Sequence, residues 1–457
     1  MRFIFLLLLF CGLLAAGSAG AQVRWQRTFG RATSNEAASE LLPLRAGGYL
    51  IVGRQEFPAR VYLVRTNSQG DTLWTRRFAI RGFEVLYTGR ACEDPSGRVL
   101  ITGDGVMINN NSSNGDAFLM LVDTNARGDS LWTRRTTGPT HDMYYDVTLD
   151  SNNNFFLSAG LMTQSQLLRI AASGQVLQQI LPPPNTAVSC IVKVPGGFWV
   201  TSPNFFTPAN ARFRFVSDAG VFGATKPYLP GNLICYFLTA AEPGYVLMGG
   251  DGRLIKLTTD MDTVWSRQLR YFQRLPSVRH VRVTPDNNYV ALAENYTPGG
   301  MSLSLHKLTR HGQQLRDTLF YRGDNTYAAG LAVGAAGDYV FAASLQTGTI
   351  GRGDIGLASL RPWSTVLATG PAASITHTLE AWPNPTSEFV TLRLPRPLVG
   401  KIELHNTLGQ LMRAWPAAPS VSSTGQQVSL AGLASGLYLL TATDAAGNRS
   451  TVRLLKQ

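Results

Sequence analysis

The segment NSQGDTLWTRR at residues 67–77 decides the fold of this chain, because it recurs. Residues 125–135 read NARGDSLWTRR, and residues 259–267 read TDMDTVWSR, a degraded third copy. Each copy joins a turn rich in Asn, Gly and Asp to a stretch that alternates apolar and polar residues, which is typical of a β-hairpin. The recurrence therefore predicts an all-β protein built from repeated hairpins.

A second hairpin pattern lies upstream of the first and is more numerous. In each copy, a turn that contains Gly or Asn opens an apolar strand. Seven copies follow one another, at residues 46–53, 95–103, 152–157, 195–200, 242–247, 286–291 and 336–341. Their spacing of roughly 50 residues suits a four-stranded blade and not a shorter solenoid repeat. Residues 22–362 are therefore predicted to form a seven-bladed β-propeller.

The two ends of the repeat array predict how the ring closes. Residues 23–29, VRWQRTF, look like the outer strand of a blade whose other strands are missing upstream, and residues 354–360 supply a third strand to the last blade. The amino-terminal strand is therefore expected to complete the last blade, which removes exposed sheet edges. The tryptophans of the outer strands are expected to pack between blades, at Trp25, Trp74, Trp132 and Trp265.

A separate module follows residues 363–378, which are small and polar as in a linker. Residues 389–394 and 401–405 alternate apolar and polar side chains, and residues 437–442 are nearly all apolar. Turn residues separate these runs. The pattern predicts a small antiparallel β-sandwich over residues 379–457.

Four short motifs give this module a family resemblance. They are WPNPT at 382–386, IELHNTLGQ at 402–410, LASGLYLL at 433–440 and RLLKQ at 453–457. Together and in this order, they resemble the type A sorting domain of cargo proteins of the type IX secretion system. The residues that carry the resemblance are Pro383, Asn384, Pro385, Gly409, Gly436, Tyr438 and Lys456. The alternative is a generic sandwich that caps the chain or binds sugar.

The resemblance implies export to the periplasm, passage through an outer-membrane translocon, and removal of the domain by a surface sortase with attachment to lipopolysaccharide. The first residues fit this route, since Arg2 precedes an apolar run at 3–16 and small residues at 19–21 form a cleavage pattern. Residues 1–21 are therefore predicted to be a signal peptide. No later segment approaches the roughly 18 to 20 apolar residues of a membrane-spanning helix. We expect a secreted protein, extracellular or attached to the outer cell surface.

The body resembles bacterial secreted β-propellers with degenerate repeats, and it partly imitates the blades of quinoprotein propellers. Those blades carry the motif A-x-D-x-x-T-G-x-x-x-W, of which Asp123, Gly128 and Trp132 supply a part. Asp123, however, lies five residues before the glycine, where the motif has four, and the Ala and Thr are missing. No cofactor is therefore expected.

The formal charge of +12 is spread through the chain. No run of five or more basic residues occurs, whereas nucleic-acid binding normally needs a concentrated basic face. Nucleic acid is therefore not an expected partner, and the charge favours solubility and attraction to acidic polysaccharide or lipopolysaccharide. With 44% hydrophobic and 15% charged residues, the chain can bury a large core.

Cysteine usage leaves two alternatives open. Cys11 would leave with the signal peptide, so that an odd set remains, Cys92, Cys190 and Cys235. In an oxidising compartment these residues allow one bridge and one thiol. Their apolar neighbours favour buried thiols that pack as small hydrophobic side chains. No C-x-x-C spacing occurs, so no metal site is expected.

The sequence contains no recognisable catalytic constellation. The six His residues are scattered, and His306 and His311, the nearest pair, are expected to point in unrelated directions. H-E-x-x-H, G-x-S-x-G and P-loop motifs are all missing. Carboxylates could still meet on one propeller face and hydrolyse a glycoside, depending on their separation. The candidates are Glu93, Asp94, Asp142, Asp146 and Glu294.

Two functions remain for the propeller. The first is a non-catalytic binding or scaffold protein whose loops at one end of the ring contact a glycan or protein ligand. The alternative is an extracellular polysaccharide hydrolase or lyase on the same ring. Two or more carboxylates with aromatic neighbours at the channel mouth would favour the enzyme, whereas a polar mouth without them would favour binding.

Overall fold

The structure of the chain is a computed structural model. It describes residues 23–31, 33–106, 115–125, 127–137, 141–161, 164–184, 186–201, 212–227, 235–250, 252–270, 275–297, 300–320, 326–346, 353–363, 379–393, 401–406, 410–416, 426–443 and 449–457. Among these residues, no helix has the length and apolar character needed to cross a membrane. The chain divides into two compact units, and the larger one extends over Ala21–Trp363.

Seven four-stranded antiparallel sheets form the larger unit. Its strands in chain order are β1 (Val23–Phe29), β2 (Glu36–Pro43), β3 (Tyr49–Gln55), β4 (Arg60–Thr66), β5 (Thr72–Phe78), β6 (Val85–Glu93), β7 (Arg98–Val106), β8 (Gly115–Asp123), β9 (Asp129–Thr136), β10 (Met143–Leu149), β11 (Phe155–Leu161), β12 (Gln164–Ile170), β13 (Val176–Ile180), β14 (Ile191–Val194), β15 (Gly197–Thr201), β16 (Arg212–Ser217), β17 (Phe222–Pro227), β18 (Cys235–Ala240), β19 (Tyr245–Gly250), β20 (Arg253–Thr258), β21 (Thr263–Gln268), β22 (Ser277–Val283), β23 (Tyr289–Thr297), β24 (Gly300–Leu308), β25 (Gln314–Phe320), β26 (Thr326–Val333), β27 (Tyr339–Gln346) and β28 (Gly353–Leu360).

The sheets are the blades of a propeller. Blades 1 to 6 each take four consecutive strands, beginning with β2, β6, β10, β14, β18 and β22. Blade 7 has the order β1-β28-β27-β26, with Val23 opposite Leu360 and Phe29 opposite Ile355. The amino-terminal strand therefore completes the last blade, and the structure confirms the predicted seven-bladed β-propeller.

The first strands of the blades surround a central channel. Each first strand contacts the first strands of both neighbouring blades, and β2 of blade 1 contacts β26 of blade 7. Ring closure leaves each blade packed on both faces, so it needs an apolar layer on each side. Seven apolar clusters supply these layers, one between every two neighbouring blades.

Burial differs between the middle and the outer strands of a blade. In β8, eight of nine residues are buried, whereas the residues of the neighbouring outer strand β9 are exposed or half-buried. A strand covered on both faces needs a continuous apolar run, and an outer strand needs only alternation. This difference explains the two hairpin patterns in the sequence.

The smaller unit contains two antiparallel sheets. Its strands are β29 (Glu380–Trp382), β30 (Phe389–Arg393), β31 (Lys401–Asn406), β32 (Leu411–Pro416), β33 (Gln426–Ser429), β34 (Gly436–Thr443) and β35 (Arg449–Lys456). One sheet has the order β29-β30-β33 and the other β32-β31-β34-β35. Val390 and Val428 of the first sheet share one buried core with Ile402, Leu440 and Leu454 of the second. The predicted β-sandwich is confirmed.

Trp363 belongs to the propeller, although the sequence analysis assigns it to the linker. Its ring lies 5.4 Å from that of Tyr339, at 65°, within the cluster between blades 6 and 7. Because this ring is buried against the blades, Trp363 is part of the propeller. The propeller therefore ends at residue 363, one residue after the predicted end at 362. The rest of the predicted linker, 364–378, and the predicted signal peptide, 1–21, lie outside the described residues.

Candidate binding site in the central channel

The innermost strands carry β-bulges where they line the channel. The pairing register shifts within β2, β6, β10, β18, β22 and β26. A bulge leaves a residue outside the regular pairing and re-aims its side chain. In four of these strands the residue within the shift lines one cavity, namely Ser39, Arg90, Tyr236 and Arg279.

This cavity has a volume of about 170 Å³. Five blades contribute to it, blades 1, 2, 5, 6 and 7. Its lining residues are Ser39, Arg90, Tyr236, Arg279, His280, Glu294 and Ala328. The volume corresponds to about six water molecules, so the cavity accommodates one small polar group and not a polymer segment.

Arg90 joins three blades at the channel. Its Nη1 lies 3.2 Å from Oε2 of Glu40 in blade 1, and its Nη2 donates to the backbone oxygen of Tyr236 in blade 5 at 3.0 Å. Burial raises the pKa of Glu40, and the charge of Arg90 acts in the opposite direction. The guanidinium of Arg90 therefore links Glu40 and Tyr236, two residues of the channel wall that are far apart in sequence.

Arg279 forms the second cationic part of the wall. Its Nε donates to Oε2 of Glu294 at 2.7 Å, and its guanidinium lies over the ring of Tyr236, 4.0 Å from the ring centroid. Oε1 of Glu294 accepts from the backbone nitrogen of Ala328 in blade 7 at 2.9 Å. Glu294 is 3% exposed, and its two oxygens are engaged by neighbouring groups.

Burial also changes the protonation of groups around the cavity. It raises the pKa of Asp146 to about 6, although this carboxylate accepts from the backbone nitrogens of Val147 and Ile191 at 2.9 and 2.8 Å. Burial, followed by the positive charge of Arg90, lowers the pKa of His280 well below 6.5. His280 is therefore neutral at physiological pH, and the cationic donors of the cavity are its arginines.

The five carboxylates selected from the sequence do not form one cluster. Glu93 and Asp94 lie at the hairpin turn after β6, where Oε2 of Glu93 accepts from the Arg45 nitrogen at 2.9 Å. Asp142 precedes β10 and its nitrogen donates to the Gly115 oxygen at 2.7 Å. Those three carboxylates are absent from the cavity lining, which includes Glu294. No three His, Cys, Asp or Glu side chains form a potential metal site within the described ranges.

Sequence reasoning selected Glu294 but none of the bulged lining residues. Alternation of apolar and polar residues predicts which face of a regular strand is buried, and a bulge breaks that alternation. One signal was available, since Gly89 lies in the middle of the strand Val85–Glu93, next to Arg90. Glycine in the middle of a strand often marks a bulge.

The four predicted packing tryptophans lie at the seams between blades. A Cβ atom added to Gly70 would overlap the ring of Trp25, and one added to Gly128 would overlap the ring of Trp74. Each glycine belongs to the turn before the outer strand of the next blade. Trp132 and Trp265 contact the corresponding turn glycines of the following blades, Gly174 and Gly312.

The predicted sorting residues meet at the last strand of the smaller unit. Nδ2 of Asn384 donates to the Arg453 oxygen at 2.8 Å, and the Leu455 nitrogen donates to Oδ1 of Asn384 at 2.9 Å. Pro383 and Pro385 flank Asn384 in the chain. Because proline has no backbone donor, the side chain of Asn384 forms the hydrogen bonds to β35 at this position, and the backbone of Thr386 pairs with the same strand.

Three other sorting residues lie near the same strand or the turn before β34. Gly436 pairs with Lys456 across β34 and β35, and the hydroxyl of Tyr438 donates to the Ala434 oxygen at 2.8 Å. Gly409 lies outside the described residues. The motif therefore fastens the segment before β30 to the end of β35.

The fold and the small unit define a secreted β-propeller protein with a carboxy-terminal export module. Residues 380–457 match the family of secretion system C-terminal sorting domains. This match confirms the resemblance to type IX secretion cargo, and the protein is secreted or held at the outer cell surface. Among curated proteins, none matches this chain.

Two solved structures illustrate what this chain is similar to. A streptogramin B lyase has a TM-score of 0.51 and 11% identity, over 74% of this chain and 98% of that chain. A protein of unknown function from Dyadobacter fermentans has a TM-score of 0.45 and 9% identity, over 75% of this chain and all (100%) of that chain. Likeness at this identity concerns the fold and not the chemistry.

Proposed function

We propose that this protein is a non-catalytic binding protein of the cell surface or medium, and that its channel cavity holds the acidic end group of a glycan. The observation that carries the proposal is the convergence of Arg90, Arg279 and Tyr236 on one cavity. Two guanidinium groups beside an aromatic ring suit a sugar that carries a carboxylate, because arginine binds carboxylates through two parallel hydrogen bonds.

The arginines retain donors for such a ligand. A guanidinium carries five N–H donors, and the described hydrogen bonds of Arg90 use Nη1 and Nη2 once each. Arg279 uses its Nε on Glu294. The ion pairs with Glu40 and Glu294 fix both arginines in place, which reduces the entropy lost when a ligand binds.

The cavity volume restricts the ligand to a terminal group. At about 170 Å³, the cavity is smaller than the roughly 300–1,000 Å³ of pockets that enclose a drug-sized molecule. The carboxylate end of one terminal acidic sugar fits this limit, with the rest of the glycan outside. A protein ligand would have to present a carboxylate in the same way.

A polysaccharide hydrolase or lyase is the second candidate. Glu40 and Glu294 pair with the two arginines that contact Tyr236. Burial raises the pKa of Asp146 to about 6, which is in the range that a general acid requires. Against this candidate, both oxygens of Glu294 accept hydrogen bonds from Arg279 and Ala328. A carboxylate committed in this way is poorly placed to transfer a proton.

The test is a glycan array with acid-terminated glycans and their neutral counterparts, probed with the full chain. We expect binding to the acid-terminated set alone. Arg279→Lys should weaken binding at least about tenfold, because lysine keeps the charge but loses the planar fork. Arg316→Lys, the same change at an exposed position of β25, should leave binding unchanged.

Two results would contradict the binding proposal. Equal binding of acidic and neutral glycans would show that the arginines do not select the ligand. Release of reducing ends or unsaturated sugars from the same glycans, lost in Asp146→Asn, would favour the enzyme. The array and the turnover assay therefore separate the two functions.

We also infer that a surface sortase removes the sorting domain after translocation. The match of residues 380–457 supports handling by the secretion system, and the sortase step is the part that the resemblance to type IX cargo implies. The mass of the surface-exposed protein tests it. Loss of the carboxy-terminal residues is expected, and an intact mass would contradict the inference.

A further inference from the structure

Two cysteines approach each other at the channel wall. Cys190 lies directly before β14 of blade 4, and Cys235 is the first residue of β18 of blade 5. Both belong to the apolar cluster between these blades. Cys92 belongs to a different cluster, between blades 2 and 3. The geometry therefore distinguishes one pair from a third, separate cysteine.

The side chain of Cys190 contacts Cys235 directly. Sγ of Cys190 lies 3.6 Å from the backbone oxygen of Cys235, and the Cys235 side chain hydrogen-bonds the Cys190 sulfur. Given the Cα–C and C=O bond lengths, Sγ of Cys190 is within about 6.4 Å of the Cys235 Cα. A contact of this length between the side chain of one cysteine and the backbone of the other is compatible with the Cα separation of a disulfide, about 4.4–6.8 Å.

The environment makes Cys190 the more reactive thiol. Its pKa is lowered, first by the hydrogen bond from Cys235, with the charge of Arg90 acting in the same direction. Burial raises the pKa of Cys92 to about 12. Because the thiolate is the attacking species, Cys190 reacts before Cys92.

We propose that Cys190 and Cys235 form a disulfide in the exported protein and that Cys92 remains a thiol. The sorting domain sends the chain to an oxidising compartment, where such bonds persist. The Cys190 thiolate attacks a disulfide of an oxidant, either a small molecule or a thiol oxidoreductase. Cys235 then displaces the oxidant from the mixed disulfide, so two electrons and two protons pass to the oxidant, which leaves as two thiols.

The bridge would enclose blade 4, whose first strand is short and whose outer strand has no tryptophan. Its first strand, β14, has four residues and is the shortest described strand of the propeller. Its outer strand, β17, reads FGATKP and lacks the tryptophan of blades 1, 2 and 5. A crosslink across residues 190 to 235 reduces the conformational freedom of this blade in the unfolded chain.

Peptide mapping of the exported protein, collected outside a host with type IX secretion, tests the proposal. The protein is denatured in iodoacetamide without reductant and then digested with trypsin. The expected result is a linked pair of peptides, residues 170–193 and 215–253, together with alkylated Cys92 in the peptide 91–98. Alkylation of Cys190 and Cys235, or a link through Cys92, would overturn the proposal.

Thermal melting supplies a second measurement that does not depend on recovering peptides. Reduction should lower the melting temperature of the exported protein by on the order of 5 °C. Cys92→Ser, the control, should show the same decrease. Cys190→Ser and Cys235→Ser should melt at one temperature with and without reductant, and a persistent decrease in either variant would contradict the assignment.

Discussion

The two nearest histidines in the sequence occupy opposite environments. His306 lies in β24 and is 0% exposed, with Nε2 2.8 Å from the hydroxyl of Ser304. His311 is exposed in the turn that follows. Burial lowers the pKa of His306 to about 4, so the ring is neutral in the fold. The pair therefore has no shared role, as the sequence predicted, and His306 makes the propeller sensitive to acid.

Stability should depend on His306 below pH 6.5. Its folded pKa of about 4 is lower than the ordinary value of 6.5, so an unfolded chain takes up a proton that the native chain does not. The contribution is complete above pH 6.5 and is lost as pH falls toward 4. At pH 4.5 the loss of unfolding free energy is about 2–3 kcal/mol. Urea unfolding at pH 7.5 and 4.5 measures this loss of unfolding free energy. The wild type should show it, and His306→Gln should not.

His311→Gln is the matched control for this titration. Because His311 is exposed, its removal should leave the pH dependence of unfolding as in the wild type. A constant difference between wild type and His306→Gln at the two pH values would show that His306 does not titrate in this range.

The seams between blades depend on small turns as much as on apolar strands. Trp132 donates its indole N–H to the Ala172 oxygen at 2.9 Å, and Trp265 donates to the Arg310 oxygen at 3.0 Å. Both acceptors belong to turns of the following blade. The motif that recurs in the sequence thus serves two purposes, since its glycine forms the turn and also makes room for the preceding tryptophan.

Gly128→Ala and Gly47→Ala separate these two purposes. Both glycines have positive φ, +76° and +82°, so each substitution costs about 1–2 kcal/mol from the backbone. Only at Gly128 would the new Cβ overlap a ring, that of Trp74, which should add about 1–3 kcal/mol. Urea unfolding of the two variants measures the difference. If both variants lose the same unfolding free energy, the ring of Trp74 moves aside without an energetic penalty.

The two units of the chain each contain a complete core. The seven clusters of the propeller consist of residues from 23 to 363, and the sandwich has its own cluster from Leu379 to Leu454. A domain with its own core can fold when the other is removed. The sorting domain and the channel cavity therefore belong to separate units.

Deletion of residues 379–457 should abolish export and leave the propeller folded. We expect the extracellular protein to fall to background and the melting temperature of the propeller to stay unchanged. Asn384→Ala should reduce export, because it removes the hydrogen bonds to Arg453 and Leu455. Ser387→Ala, an exposed neighbour, is the control. Normal export of the truncated chain would contradict the role of the sorting domain.

Short-range patterns in the sequence were sufficient to predict the architecture. The turn and strand of NSQGDTLWTRR lie within eleven residues, and each apolar run with its Gly or Asn turn is local. Turn chemistry and alternation depend on neighbouring residues, so they can be recognised without knowledge of the fold. The same reason applies to the sorting domain, whose motifs are short and occur in a constant order.

The cavity could not be predicted in this way. Arg90 and Tyr236, which form its wall, are 146 positions apart in sequence. Their meeting depends on the closure of the ring and on bulges that alter which side chains face the channel. The proposed pairing of Cys190 with Cys235 also depends on packing. Because β14 lies beside β18, these two cysteines share one apolar cluster, whereas Cys92 belongs to another. Contacts between distant residues follow from packing, and no local pattern encodes them.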